Sequence, residues 1–278
     1  MKIFRTRAEV YNYLETLKLK GISVGYVPTM GALHQGHLSL IDAARKKADI
    51  VVCSIFVNPT QFNDKKDLEN YPRPIEADIE KLKEANCDVL FLPEVDEMYN
   101  SSDEWHIELD HLDNILEGEI RPGHYQGVTQ IVKKLFDIIR PDYAFFGQKD
   151  FQQFVVISYM VNKLNIKVQL IRCPIIREVD GLAMSSRNVY LSAEDRQNAL
   201  SLIKALTKAK EDFNTLSISD VRKNAMDYLS KARGIKVEYF ELFNARTFEP
   251  ASSKENENII ALVAARVGSI RIIDNMIL

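Results

Sequence analysis

The sequence predicts an α/β protein. A doubly wound parallel sheet is expected over residues 1–176, followed by a smaller α+β domain over residues 177–278. Three observations carry this expectation. Residues 22–57 read as strand, glycine loop, helix and second strand, and the second strand (50–57) is apolar at nearly every position, as a parallel strand covered on both faces requires. Apolar runs then alternate with helical periodicity as far as residue 173. From Leu191 onward the order becomes helix, helix, strand, strand, with no further βαβ alternation.

Taken in order, residues 8–20 place Val10, Leu14 and Leu17 at helical spacing, with Gly21 as the stop. The strand at 22–27 is expected to end at Pro28, which has no N–H for a ladder. Gly31 and Gly36 bracket a loop, and Leu38, Leu40, Ile41 and Ala44 resume at helical spacing over 38–48. His34 and His37 stand where that helix begins. A helix N-terminus attracts anions through its unpaired N–H groups and its dipole. Two imidazole donors between glycines therefore suggest a phosphate site at the carboxyl end of the first strand, where doubly wound sheets bind ligands. The alternative is a pair of plain capping or surface histidines. Zinc is disfavoured, because no third ligand is near and Cys53 lies inside the apolar strand. Neither a P-loop nor a G-x-G-x-x-G loop is present.

The second strand runs into N-P-T-Q-F, where Asn58 and Gln61 could hydrogen-bond a small polar substrate or simply form a turn. A helix at 75–84 carries Asp78, on its own an ordinary solvated acid, and a third strand follows at 89–93. W-H-I-E-L at 105–109 suggests a strand, and L-D-N-I-L-E-G a short helix. Residues 119–128 form a turn-rich segment with Arg121, Pro122, Gly123, His124 and Gly127, before an amphipathic helix at 128–139. A buried strand at 143–146 breaks at Gly147. Lys149 and Asp150 follow at its carboxyl end, ahead of a helix through 155–164. A lysine there can hold a phosphate as a point charge; a surface Lys–Asp pair is the alternative. A strand at 166–173 leads to R-E-V-D-G-L-A-M-S-S-R-N. In this stretch Asp180-Gly181 makes a turn, and Met184, Ser185, Ser186 and Arg187 offer hydroxyls and a guanidinium to a triphosphate. Ser192 caps a long helix with Asp195 at the capping-box position. A second helix spans 219–232, and strands at 237–243 and 259–266 flank a polar loop at 249–258.

Composition narrows the function. With 278 residues, 46% hydrophobic and 27% charged, the chain is an ordinary packed globular protein. A net charge of −3 gives no general field for duplex nucleic acid. Cys53, Cys87 and Cys173 lie far apart beside apolar sequence, which suits reduced, buried thiols in the cytoplasm. The N-terminus lacks the apolar centre of a signal peptide, and no apolar run approaches the ~18 residues of a membrane span.

The motifs together resemble a known family. P-T-M-G-A-L-H-Q-G-H resembles the H-x-G-H signature of the nucleotidyltransferase superfamily related to class I aminoacyl-tRNA synthetases. V-N-P-T-Q-F, Y-P-R, R-P-G-H-Y-Q-G-V, F-F-G-Q-K-D-F-Q-Q and D-G-L-A-M-S-S-R-N narrow the resemblance to the pantoate–β-alanine ligase family. The resemblance implies a Rossmann-like nucleotide- and pantoate-binding domain with a C-terminal lid domain, acting as a homodimer without nucleic acid or membrane partners. It implies that ATP, taken with Mg²⁺, and pantoate give pantoyl adenylate and pyrophosphate, and that β-alanine then displaces AMP to give pantothenate.

Residue by residue, the resemblance implies that Met30, Gly31, Ala32, Leu33, His34, Gln35, Gly36 and His37 line the ATP site. His34 and His37 would contact phosphate, with His37 as proton donor. Gln61 and Gln153 would hold pantoate, Gln61 also lying near β-alanine. Gly147, Gln148, Lys149 and Asp150 match an ATP segment in which Lys149 meets phosphate and Asp150 the ribose. Ile176 would touch adenine. Met184, Ser185, Ser186 and Arg187, standing where the synthetases carry K-M-S-K-S, would close over the phosphates. Asp78 matches an acidic position near the magnesium, with Ala77 where some members have a second acid. Two other readings remain. One is a related adenylyl or cytidylyl transferase acting on a phosphate ester, against which the two neutral glutamines argue. The other is a nucleotide-binding regulatory or RNA-binding module, against which the charge and the absence of an aromatic–basic stripe argue.

Overall fold

In the computed structural model, which describes residues 1–100, 102–254 and 258–278, six short apolar runs pair in parallel into one Rossmann-like sheet. They are β1 (Lys2–Phe4), β2 (Val24–Thr29), β3 (Ile50–Ile55), β4 (Val89–Phe91), β5 (Tyr143–Gly147) and β6 (Gln169–Cys173), in the order β1-β4-β3-β2-β5-β6. Helices α1 (Arg7–Lys18), α2 (Gln35–Arg45), α3 (Lys65–Glu69), α4 (Ile75–Glu84), α5 (Val95–Met98), α6 (Glu117–Ile120), α7 (His124–Ile139) and α8 (Phe151–Lys163) connect them. The order reverses between β2 and β5, so the histidine loop leaves β2 at the switch point where such sheets bind ligands.

Local chemistry explains the main elements. Thr6 caps α1 and forms a capping box with Glu9. β3 is buried along almost its whole length, and Val27, Leu40, Ile41, Cys53, Leu82, Leu90 and Phe145 share one core. Cys53, Cys87 and Cys173 are free and buried, and burial pushes the Cys87 thiol up to about 12. No helix among the described residues is long and apolar enough to cross a membrane.

The structure corrects several expectations. β2 does not end at Pro28 but runs through it to Thr29. The ladder to β5 has already finished at Tyr26, while Pro28 pairs in register with Ser54 on the other side, so its missing N–H costs the sheet nothing. Residues 105–109 form no strand, and β1 is an edge strand that the sequence pattern does not single out. α7 begins at His124, four residues before the expected start, and α6 ends at Ile120, so only residues 121–123 of the turn-rich segment lie outside a helix.

The chain divides into two compact units. The first comprises Met1–Gly147 and Gln152–Pro174, and the second comprises Gln148–Phe151 and Ile175–Leu278. In the second, α9 (Ala193–Phe213) and α10 (Ile218–Ser230) pack on a three-stranded antiparallel sheet of β7 (Ile235–Asn244), β8 (Ile259–Val267) and β9 (Ile270–Ile277). Leu202, Leu206, Val221, Leu229, Phe240 and Val263 form its core, and Ser192 caps α9 as expected. β9 has no counterpart among the expected strands. The expected loop at 249–258 includes residues 255–257, which lie outside the described residues.

Candidate active site

Between β2 and α2 the backbone takes two successive left-handed steps, at Gly31 (φ +84°) and Ala32 (φ +49°). The second costs an alanine roughly 1–2 kcal/mol, so the surroundings must hold it. They do so from below. Thr29 Oγ accepts the Gly31 N–H at 3.2 Å and itself donates to the Ser54 carbonyl at 2.7 Å. Asp78 Oδ2 accepts the Ala32 N–H at 2.7 Å, and Oδ1 accepts the Leu33 N–H at 2.8 Å. Burial pushes the Asp78 carboxyl above the usual carboxylate range, and these two N–H groups pull it back. Leu33 anchors in the core.

His34 is the N-cap of α2. Its Nδ1 accepts the Gly36 N–H at 3.2 Å, while its own N–H donates to His37 Nδ1 at 3.3 Å, a capping box built from two imidazoles. The rings lie 4.1 Å apart between centroids. Because each Nδ1 is an acceptor, the neutral form of each ring carries its proton on Nε2. The backbone thus sets both tautomers and makes both histidines N–H donors at the positive end of a helix.

A second group of side chains surrounds the turn at Pro59–Gln61. Asn58 is buried and fully used: Nδ2 donates to Gln61 Oε1 and to the Gly127 carbonyl, both at 3.1 Å. Its Oδ1 accepts from Tyr99 Oη at 2.6 Å and Thr60 Oγ at 3.1 Å. Burial pushes the Tyr99 hydroxyl up to about 12, which keeps it a donor. The Gln61 amide is therefore oriented, its oxygen toward Asn58 and its Nε2 3.0 Å from the Met30 sulfur. His124 Nδ1 lies 2.8 Å from the Gln61 carbonyl, and Arg121 lies 3.2 Å from His124 Nε2. Gly127 lets α7 approach this turn, because a Cβ there would run into the Thr60 carbonyl. Of the adjacent glutamines, Gln152 is buried and structural: Nε2 donates to the Leu112 and Ile115 carbonyls at 3.0 Å each, and Oε1 accepts the Glu117 N–H at 3.1 Å. Gln153 is half-buried beside it.

The second unit holds the other candidates. Asn275, buried in β9, donates from Nδ2 to the carbonyls of Gln148 at 2.9 Å and Lys149 at 3.0 Å, and accepts from Gln148 Nε2 at 3.2 Å. It fixes the backbone that carries Lys149, which is half-buried, and Asp150, which is exposed. Asp274 beside it is buried and pairs with Arg177 through two contacts of 2.7 and 3.0 Å. The stretch 184–187 is an irregular loop. The Met184 N–H bonds to the Ile176 carbonyl at 3.0 Å. On the flanks, Arg196 meets Glu178 at 2.5 Å and Asp180 at 2.8 Å, and Asn188 donates to Glu178 at 2.7 Å. Ser185 Oγ accepts the Arg187 N–H at 3.3 Å.

The expected magnesium role of Asp78 does not fit. Its side chain is fully buried and both oxygens are taken by backbone N–H groups, whereas Mg²⁺ keeps a shell of waters. Among the described residues no group of three or more His, Cys, Asp or Glu could hold a metal ion. The roles of Asp78 and Asn275 escaped sequence reasoning because each acts on backbone distant along the chain, and that of Asn58 because its bonds to Gly127 and Tyr99 are long-range although Gln61 and Thr60 are close by. The N-P-T-Q-F motif was the only signal for Asn58.

Comparison with known proteins agrees with this architecture. The family model for pantoate-beta-alanine ligase matches residues 2–277. The pantothenate synthetase of Thermotoga petrophila is 46% identical over 280 residues, covering 100% of both chains. That of Bacteroides thetaiotaomicron is 42% identical, covering 99% of this chain and 98% of its own. Among solved structures, the pantothenate synthetase of Thermus thermophilus matches with a TM-score of 0.94 at 38% identity, covering 99% of each chain. The pantoate-beta-alanine ligase of Francisella tularensis, complexed with beta-gamma ATP and beta-alanine, matches with a TM-score of 0.79 at 33% identity, covering 100% of this chain and 97% of that one.

Proposed function

From the premise that this chain belongs to the pantoate–β-alanine ligase family and is a ligase, we propose that it drives the condensation with ATP through an enzyme-bound pantoyl adenylate. The pantoate carboxylate attacks the α-phosphorus of ATP, which arrives as its magnesium complex, and pyrophosphate leaves with the broken P–O bond. The amine of β-alanine then attacks the acyl carbon, giving pantothenate and AMP. The relative that binds an ATP ligand and β-alanine supports this choice of substrates.

The observation that carries the reading is the pair of tautomer-fixed imidazoles at the N-terminus of α2. Pantoate carboxylate and ATP are both anionic, so bringing them to bonding distance requires donors that are in place beforehand. The Nε2–H groups of His34 and His37 supply these at the phosphates, with His37 hydrogen-bonding oxygen on which charge grows in the five-coordinate transition state. Residues 30–37 line the nucleotide. Lys149 and Arg187 contribute cationic charge to the phosphates, with Ser185 and Ser186 as hydroxyl donors. Gly147 and Gln148 offer backbone, Asp150 bonds the ribose, and Ile176 and Met184 give apolar contact. Gln61 and Gln153 hold the hydroxyls and carboxylate of pantoate, and the orienting bond from Asn58 presents the Gln61 Nε2–H groups as donors. No side-chain nucleophile is required, and positioning supplies much of the rate. We further assign the chain to the cytoplasm, in keeping with three buried free thiols, and to a homodimer.

The test is pyrophosphate release from MgATP, first with pantoate alone and then with β-alanine. A stoichiometric burst that becomes steady turnover on adding the amine is expected. Folded protein that releases no pyrophosphate under either condition would overturn the reading.

A further inference from the structure

Helix α4 lies outside the motif that carries the histidines, yet one face of it is committed to their loop. Asp78 is fully buried, and its two oxygens take the successive N–H groups of Ala32 and Leu33. One turn along the same face, Lys81 Nζ donates to the Leu33 carbonyl at 2.7 Å, so α4 engages both the N–H and the C=O of Leu33. Two successive N–H groups around a left-handed residue make a concave anion-binding surface, and here a carboxylate fills it. The next residue is His34, the cap whose Nδ1 and N–H bonds fix both rings. The packing is close: a Cβ at Gly31 would sit 3.1 Å from Asp78 Oδ2 and 3.0 Å from Ile55 Cγ2.

We propose that Asp78 is a positioning residue for the ligase reaction: it holds the left-handed step at Ala32, thereby aims His34 and His37, and is not a ligand of the nucleotide's magnesium. The kinetic consequence rests on the ligase reading above; the geometric one does not. Asn in place of Asp offers one acceptor and turns an NH₂ group toward one of the two N–H donors, so even this isosteric change breaks the arrangement.

The experiment compares Asp78→Asn and Asp78→Ala with the unaltered chain. Without nucleotide, ring ¹⁵N NMR is expected to show both histidines as Nε2–H tautomers in the unaltered chain, and to show that fixed state lost in Asp78→Ala, together with exchange protection of the Ala32 and Leu33 amides. Unchanged ring signals and unchanged protection would overturn the proposal. In pyrophosphate release, Asp78→Asn is expected to lower kcat at least tenfold with half-saturating Mg²⁺ within twofold of the unaltered value. A raised Mg²⁺ requirement, with the rate recovered at high Mg²⁺, would make Asp78 a metal ligand and end the proposal. An unchanged kcat with only a lower melting point would make it merely structural. Adding Ala32→Gly to Asp78→Asn is expected to restore part of kcat, because glycine takes the left-handed step unaided; no recovery would also overturn the idea. If neither Asp78 variant folds, Lys81→Met carries the same kinetic test with a smaller expected loss. An unaltered chain that releases no pyrophosphate would sink the ligase reading alone, leaving the NMR comparison to judge Asp78.

Discussion

The histidine loop and the loop at 184–187 carry polar groups suited to the same kind of ligand, and they are held differently. The first is fixed from beneath, with Thr29, Asp78 and Lys81 bonding to the loop's own backbone and the two histidines bonding to each other. The second is tied at its flanks, where Arg196 and Asn188 both bond to Glu178, and through its own backbone, where the Met184 N–H meets the Ile176 carbonyl and the Arg187 N–H meets Ser185 Oγ. A group that must meet charge at a fixed point gains from preorganisation, because no reorganisation remains at the moment of reaction.

Three substitutions would break or sharpen this contrast. The largest effect is expected at His37. His37→Ala should cut the rate of pyrophosphate release by about 10²–10³-fold, the range for removing one donor aimed at a transition state. Circular dichroism should show the fold retained; a rate equal to that of the unaltered chain would mean that the preorganised loop is not where the chemistry occurs. Gly127→Ala should come next. Its Cβ runs into the Thr60 carbonyl, so overpacking is expected to cost about 1–3 kcal/mol in a urea titration, and the displaced Pro59–Gln61 turn should raise KM for pantoate more than KM for ATP. Equal weakening of both would show that the turn does not serve one substrate. The smallest change in stability is expected at Arg196. It is 31% exposed and its partners Glu178 and Asp180 are 28% and 26% exposed, so Arg196→Ala should cost less than ~1 kcal/mol. KM for ATP should nevertheless rise, since the flank of the 184–187 loop is loosened. A melting-point drop as large as that of Gly127→Ala would show that this loop is held as firmly as the first.

Much of the architecture was legible because it is written in contiguous runs. β3 is apolar throughout, α4 has the expected bounds, and Gly31, His34, Gly36 and His37 announce a strand–loop–helix junction. The misses share a physical cause. β9 is interrupted by Asp274 and Asn275, which look like a break until Arg177, 97 residues earlier, and the carbonyls of Gln148 and Lys149 are found to satisfy them. Pro28 looked like the end of a strand because the side on which its ladder had already stopped is a tertiary fact. His124 and Gly127 looked like a turn because glycine's role there is close approach to the Thr60 carbonyl, which no local pattern encodes. Asp78 read as a surface acid or a metal ligand because its partners are 45 and 46 residues back.

The four residues Gln148–Phe151 belong to the second unit although the chain on both sides of them belongs to the first. The units are therefore not separable by one cut. Recombination between relatives at residues 174 and 175 would set Asn275 and Phe248 of one parent against residues 148–151 of the other, where the backbone carbonyls that Asn275 meets and the side chain that Phe248 stacks on come from a different chain. A chimaera that takes the whole second unit from one parent exchanges these four residues along with the C-terminal portion.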